Sequence, residues 1–200
     1  MRCPFCHNAG LVLTPNATSF SEDEIFDYLS KRSGIIDGVC ITGGEPLLQH
    51  DIKDFLIKVK ALGFKVKLDT NGTDPHKLEA LINAGLLDYL AMDIKSSAEG
   101  YEKVAGVSID VERIKRSIAV IKNSSLPHEF RTTAVKGLHS IEDFAKIYEL
   151  IGSDSPYFIQ KFVDSGNLIK EGSPFSYDEM KEILKTVREN IPSANIRGEC

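Results

Sequence analysis

Apolar positions along this chain switch repeatedly between a period of two and a period of 3.6, and each switch marks an element. Ser21-Glu22-Asp23-Glu24 forms a capping box that opens a helix to about residue 32, with Ile25, Phe26 and Leu29 on one stripe. Gly34 stops it, and 38–42 reads as a buried strand. Asp51 caps a helix in which Ile52, Phe55, Leu56, Val59 and Leu62 keep the helical period, and Gly63 ends it. A strand follows at 65–69. Asp74-Pro75 then supplies a cap and a proline at the first position of a helix closed by Gly85. Further strands are predicted at 89–94, 128–134, 157–163 and 195–197. Helices are predicted at 101–105, at 111–123 behind the Asp110 cap, from Ser140 to about 150, and at 177–190.

Strand–helix alternation of this kind predicts βα units around a parallel sheet, because parallel neighbours need a crossover. Periodicity gives neither strand order nor closure. It does show where unusual residues fall. Thr42-Gly43-Gly44-Glu45-Pro46, Thr70-Asn71-Gly72 and Asp93-Ile94-Lys95 all sit at carboxyl ends of predicted strands. That edge is where α/β sheets and barrels bind ligands.

Composition narrows the class. Two hundred residues, 42% of them apolar and 26% charged, exclude a disordered or fibrous chain and fit one domain. A net charge of −5 with interspersed signs argues against a nucleic-acid binder that relies on phosphate neutralisation. No apolar stretch approaches the ~18 residues that span a bilayer. No charged-then-apolar signal region opens the chain. The sequence reads as a soluble cytoplasmic protein with no membrane partner.

Two glycines directly after a strand let the backbone approach a ligand and free its amide and carbonyl groups to bond it. Glu45 can accept bonds from an ammonium group there. A tight turn would need neither the second glycine nor the carboxylate. Asp93 and Lys95, two apart on a strand, point to one face as an opposite-charge pair. At an exposed strand end such a pair contributes ~0–1 kcal/mol and no function. In a cavity it suits a zwitterion. Asn71-Gly72 is a common turn sequence, and only its position makes it of interest. Arg131 and Thr133 alternate in the same way on the next strand.

Of four cysteines, Cys40 reads as core and Cys200 ends the chain, so only Cys3-Pro4-Phe5-Cys6-His7 forms a motif. It matches the haem-attachment pattern but lacks an export signal. Zinc would want a second cysteine or histidine pair, and none is present at matching spacing. A redox pair remains open, and soft thiolates also suit an iron–sulfur cluster that takes at least one more ligand. The five histidines read as surface or cap residues.

Together these motifs resemble the radical S-adenosylmethionine superfamily, and within it the activating enzymes of glycyl-radical proteins. Cys3, Phe5 and Cys6 match the second half of the pattern Cys-x-x-x-Cys-x-x-Cys. Gly43, Gly44, Glu45 and Pro46 match the downstream Gly-Gly-Glu-Pro in full, and Cys6-His7-Asn8 is similar to the activase form. The resemblance covers essentially the whole chain. It implies a partial (β/α)6 TIM-like barrel of parallel strands in a single domain, 1–200. It further implies a [4Fe–4S] cluster and S-adenosylmethionine as cofactors, a glycyl-radical enzyme as protein substrate, and a flavodoxin or ferredoxin-type electron donor. The overall sequence is most similar to activases of anaerobic ribonucleoside-triphosphate reductase, with pyruvate formate-lyase activase next.

The resemblance also assigns roles. Cys3 and Cys6 would ligate the cluster, and Phe5 would pack on the adenine. Glu45, with the Gly43 and Gly44 backbone, suits the methionyl ammonium. Asn71, Lys95 and Arg131 would hold the ribose or carboxylate. Asp69, Thr70 and Asp93 would frame a monovalent cation. One departure stands out. The first cysteine of the pattern would lie four residues before Cys3, ahead of Met1, and the family's first strand ahead of that. The expectation is a barrel lacking that strand, from a start placed too late or a shortened chain, with the 39–41 strand left as an unpaired edge. Cys200 could complete the ligand set only by folding over the opening. Two rivals are a cluster-free redox or scaffold barrel and an ordinary βα-barrel enzyme with Lys95 as an amine nucleophile.

Overall fold

The computed structural model describes residues 1–8, 10–11, 20–164, 166, 168–169 and 172–198. Cys200 lies outside them. In chain order the elements are α1 (Glu22–Ser30), β1 (Gly38–Ile41), α2 (Ile52–Ala61), β2 (Lys65–Thr70), α3 (Pro75–Asn83), β3 (Tyr89–Asp93), α4 (Tyr101–Ala105) and α5 (Val111–Asn123). They continue as β4 (His128–Lys136), α6 (Ile141–Ala145), α7 (Tyr148–Ile151), β5 (Tyr157–Lys161), β6 (Ser173–Pro174), α8 (Tyr177–Arg188) and β7 (Asn195–Arg197). The sheet runs β1-β2-β3-β4-β5-β7, parallel throughout, and β6 pairs antiparallel with β4. Among the described residues no strand joins β1 to β7, so the barrel is open. No helix among them is long and apolar enough to cross a membrane.

Period-two alternation in the strands builds the two layers. Val66, Leu68, Leu90, Met92, Phe130 and Ile159 pack outward against Leu56, Val59, Leu78, Leu81, Ile118, Ile121 and Ile183 of the helices. Each such fully buried side chain contributes about 1.5–3 kcal/mol of burial. The alternate residues face inward and include Lys67 and Asp69 on β2, Asp93 on β3, and Glu129 and Arg131 on β4. Most closed barrels fill that space with branched apolar residues. Here an ion-pair network fills it.

Four expectations change. The 38–42 strand is predicted buried, yet alternate residues of β1 are exposed because among the described residues it has one strand neighbour, β2. Cys40 is exposed for the same reason. Asp51 stands before α2 but makes no side-chain cap bond, since its backbone (φ −98°, ψ 4°) is not extended. The predicted 140–150 helix is two, because Ile147 N–H bonds to Phe144 and Glu149 N–H to Lys146, three residues back rather than four. The capping boxes of α1, α6 and α8 form as the Ser-x-x-Glu/Asp spacing requires.

Candidate cofactor site

The carboxyl ends of β1–β4 open onto a cavity of about 840 Å³. Every candidate residue lines it: Cys3, Phe5, Cys6, Gly43, Gly44, Glu45, Asp69, Thr70, Asn71, Asp93, Lys95 and Arg131. The sequence-distant motifs therefore meet on one rim, and Thr133 joins them.

The Gly-Gly-Glu-Pro turn is built by its glycines. Gly43 has φ +126°, a conformation that side-chain-bearing residues rarely adopt. Its carbonyl accepts a bond from Asn8 Nδ2 (3.4 Å), tying the cysteine loop to the turn. A Cβ on Gly44 would meet no atom within 4 Å. The protein does not need glycine there for space. Its bareness leaves the main chain open to whatever fills the cavity.

Glu45 is buried and its carboxylate bridges two strand ends. Oε1 accepts from Thr70 Oγ1 (2.7 Å) and Leu47 N–H (3.2 Å), and Oε2 accepts from Asn71 N–H (2.7 Å). A carboxylate offers about four lone-pair positions, so one on Oε2 stays available. Burial pushes the Glu45 carboxyl above its ordinary range despite these donors. Asn71 is oriented too: its Oδ1 accepts from Thr73 N–H (3.0 Å) and Thr73 Oγ1 (2.7 Å), which leaves its NH₂ to donate.

Across the cavity, Lys95 Nζ lies 3.2 Å from Asp93 Oδ2. Arg131 donates from Nε (3.0 Å) to Asp93 Oδ1, and its Nη2 is 2.9 Å from the same oxygen. Arg131 Nη1 donates to Asp69 Oδ2 (3.1 Å), and Lys67 pairs with Asp69 Oδ1 at 2.8 Å. Burial alone would raise the Asp93 carboxyl, but Lys95 and Arg131 outweigh it and hold it below its ordinary range. Likewise burial would lower Lys95, and the Asp93 carboxylate overrides that, so the ammonium persists across the neutral range. Arg131 is thus committed to two carboxylates, while Lys95 keeps donors for a ligand.

The thiols lie on an apolar side. Cys3 and Phe5 are buried with Val104, Val135 and Phe162, and Met1, Leu138 and Leu168 pack around them. Cys6 N–H bonds to the Cys3 carbonyl (3.1 Å), curling the loop so that both thiols reach the cavity. Gly106 (φ +69°) permits that approach, since a Cβ on it would stand 2.3 Å from the Arg2 carbonyl oxygen. Burial raises the Cys3 thiol above its ordinary value, opposed chiefly by Lys95. His7 stacks on Phe162 at 5.8 Å.

Sequence reasoning missed three participants. Lys67 could have been read from its two-residue spacing to Asp69. Glu129 and Arg197, bonded at 2.7 and 2.8 Å, close the floor of the network and carry no local signal. His139, read as a surface or cap residue, is buried.

A parallel βα barrel, open on one side, with a thiol pair and a Gly-Gly-Glu-Pro turn on its ligand rim defines the class as cofactor-binding. The pattern of the Radical SAM superfamily matches residues 1–151, and the chain belongs to that superfamily. It is 33% identical over 205 residues to a Methanocaldococcus jannaschii protein provisionally assigned as a glycyl-radical enzyme activating enzyme, covering 98% of this chain and 84% of that one. In fold it is similar to a domain of the pyruvate-formate lyase-activating enzyme of Bacteroides vulgatus (TM-score 0.62, 17% identity, 82% of this chain and all of that domain). It is also similar to Streptococcus suis SuiB bound to its precursor peptide SuiA (TM-score 0.74, 16% identity), where it covers 98% of this chain and 46% of SuiB.

The superfamily implies a [4Fe–4S] cluster and S-adenosylmethionine. The amino-acid end of the latter fits the open Oε2 position of Glu45, the bare Gly44 backbone and the Lys95 ammonium. Cys3, in its apolar shell, and Cys6 beside it on the cavity lining fit as two cluster ligands. Among the described residues no group of three His, Cys, Asp or Glu completes a metal site.

Proposed function

We propose that this chain is an activase that installs a glycyl radical on a partner enzyme, with an anaerobic ribonucleoside-triphosphate reductase as that partner. The observation that carries the reading is the pairing, in one cavity, of a carboxylate with one unfilled acceptor position and a buried ammonium, beside two thiols. When bound, the cluster supplies the electron that splits S-adenosylmethionine into methionine and a 5′-deoxyadenosyl radical. The chain's residues orient the cofactor. Glu45 and the Gly43–Gly44 backbone take the methionyl ammonium, Lys95 takes the carboxylate, and the Asn71 amide donates to the ribose. Arg131 fixes Asp69 and Asp93, and Phe5 walls the thiol side against the adenine. Cys3 and Cys6 provide two thiolates. A monovalent cation falls out of the proposal, because Lys67, Arg131 and Lys95 already neutralise Asp69 and Asp93. The electron donor is a flavodoxin- or ferredoxin-type protein.

The test is anaerobic reconstitution with iron and sulfide of the chain extended at its amino end to carry the pattern's first cysteine, four residues before Cys3, then dithionite and S-adenosylmethionine. With the reductase present, release of 5′-deoxyadenosine is expected as the 5′-deoxyadenosyl radical takes a hydrogen atom from the glycine, together with a glycyl-radical resonance on the reductase. Absence of 5′-deoxyadenosine overturns the reading. A radical on pyruvate formate-lyase instead of the reductase reassigns the partner.

A further inference from the structure

Where β3 ends, the chain carries Lys95 into the cavity while its main chain leaves the sheet. Ile94 N–H still bonds to the Arg131 carbonyl (2.8 Å), and the Ile94 carbonyl accepts from Thr132 Oγ1 (2.7 Å). One residue on, among the described residues no backbone N–H of β4 bonds to the Lys95 carbonyl, and His139 Nε2 lies 2.7 Å from it. The opposite ring nitrogen, Nδ1, lies 3.1 Å from Val135 N–H and 3.3 Å from the Val135 carbonyl oxygen. The Lys95 carbonyl can only accept, which puts a proton on Nε2, and in the neutral ring Nδ1 then bears the lone pair and accepts from Val135 N–H. The imidazole thus joins the exits of β3 and β4 where their ladder has run out. His139 reaches this place through the tight turn after β4, in which Leu138 and His139 N–H both bond to the Val135 carbonyl and Gly137 has φ +88°. Phe144 packs on the ring at 5.1 Å. Burial holds the imidazole below the ordinary histidine range, so it stays neutral near pH 7.

We propose that His139 is a positioning residue for Lys95: its two-sided hydrogen bond fixes the Lys95 main chain and thereby the point at which the ammonium meets the ligand. This rests on the cofactor reading of the site and adds to it a residue outside the cavity. The turn and the helix after it, α6, are suited to the task because each is anchored to the chain that follows Lys95. Lys103 Nζ donates to the Leu138 carbonyl (2.9 Å), and Ser97 Oγ donates to Asp143 Oδ1 (3.0 Å).

Two variants separate bonding from packing. His139→Phe keeps an aromatic ring against Phe144 and removes both hydrogen bonds. His139→Gln loses the ring but keeps an acceptor and a donor on one amide. Titration of S-adenosylmethionine into reconstituted, unreduced protein reads the affinity. His139→Phe is expected to weaken binding about tenfold or more, in line with other partners that orient a ligand-holding group. His139→Gln is expected to stay within about threefold of wild type, since it retains both bonds. Nitrogen-15 spectra of the wild-type protein should show His139 as the neutral tautomer protonated on Nε2. Equal losses in the two variants, unchanged binding in His139→Phe, or the opposite tautomer would each overturn the proposal. If His139→Phe fails to fold, the glutamine variant and the spectrum still decide. Wild-type protein that binds no S-adenosylmethionine yet shows this tautomer refutes the cofactor reading itself, an outcome distinct from the others.

Discussion

The two walls of the cavity are built on opposite physical principles. On the thiol wall, Cys3 and Phe5 lie among Val104, Val135 and Phe162, and burial keeps the Cys3 proton on its sulfur. On the charged wall, Lys67, Asp69, Arg131, Asp93 and Lys95 form one chain of ion pairs, joined to Glu129 and Arg197. The charged wall is self-satisfied before any ligand arrives, and its geometry is set by its own counter-ions. The apolar wall is incomplete alone: the Cys3 thiol is a poor ligand until a metal displaces its proton, and loading it must release that proton to solvent. A barrel can therefore prearrange the recognition of a zwitterion and leave its metal chemistry to be switched on by loading.

Arg131 tests that contrast most severely. Its side chain is only 11% exposed, and it is shared by Asp69 and Asp93. Arg131→Met keeps the volume but leaves two carboxylates short of their partner, and breaking such a buried set costs about 3–5 kcal/mol. Urea denaturation should show that loss. A cost below about 1 kcal/mol, the level of an exposed pair, would mean water already screens the network.

Asp93 sharpens the same point through pH. Its folded-state pKa is lowered, so its contribution is present above the unfolded value, about 3.9, and is lost as pH falls through the folded value. Glu45 is raised and runs the other way: its contribution is complete in acid and is lost as pH rises through the folded value. In Asp93→Asn the stability at neutral pH should fall and the acid limb of the stability profile should flatten, with about 1.4 kcal/mol at stake for each unit of pKa difference. An unaltered acid limb would show that Lys95 and Arg131 do not hold the carboxylate as described.

Next in size is the thiol contrast. Both Cys3 and Cys40 have raised pKa values, Cys3 through burial and Cys40 through burial and the nearby Asp69 carboxylate, so basicity does not separate them. Access does: Cys3 is 7% exposed, whereas Cys40 lies exposed on the edge strand. In metal-free protein, iodoacetamide should modify Cys40 about tenfold faster, a difference of about 1.4 kcal/mol. Equal rates, read by mass spectrometry of the peptides, would show that the apolar wall opens readily.

The sequence made the charged wall only half legible. The six parallel strands follow from periodicity, and so does the placing of Glu45, Asn71 and Lys95 at strand ends. Asp93 with Lys95 was visible as a same-face pair. That Arg131 would clamp Asp69 as well as Asp93 was not, because β2 and β4 meet only through β3 and no local spacing encodes it. Cys40 looked like core because an apolar run does not reveal whether its strand is an edge. His139 carries no signal in the sequence, because its partners, Val135 and Lys95, contribute main-chain atoms, and any residue type supplies those. The two-residue β6 is too short to show a period at all.

The smallest expected effect on stability falls at Gly44, and set beside Gly43 it separates fold from ligand most cleanly. Gly43 and Gly44 are adjacent, yet the structure requires only the first. Gly43→Ala forces a side chain into φ +126°, and strain of that kind costs about 1–3 kcal/mol. Gly44→Ala meets nothing within 4 Å and has an ordinary backbone, so its stability should stay within about 0.5 kcal/mol of wild type. If the bare main chain serves a ligand, the methyl group nonetheless intrudes where the cofactor must lie, and affinity for S-adenosylmethionine should drop in a protein that melts normally. Gly44→Ala with wild-type stability and wild-type affinity would reduce the second glycine to a passenger. It would also take the open Gly44 backbone out of the recognition of the ammonium, leaving Glu45 to do that alone.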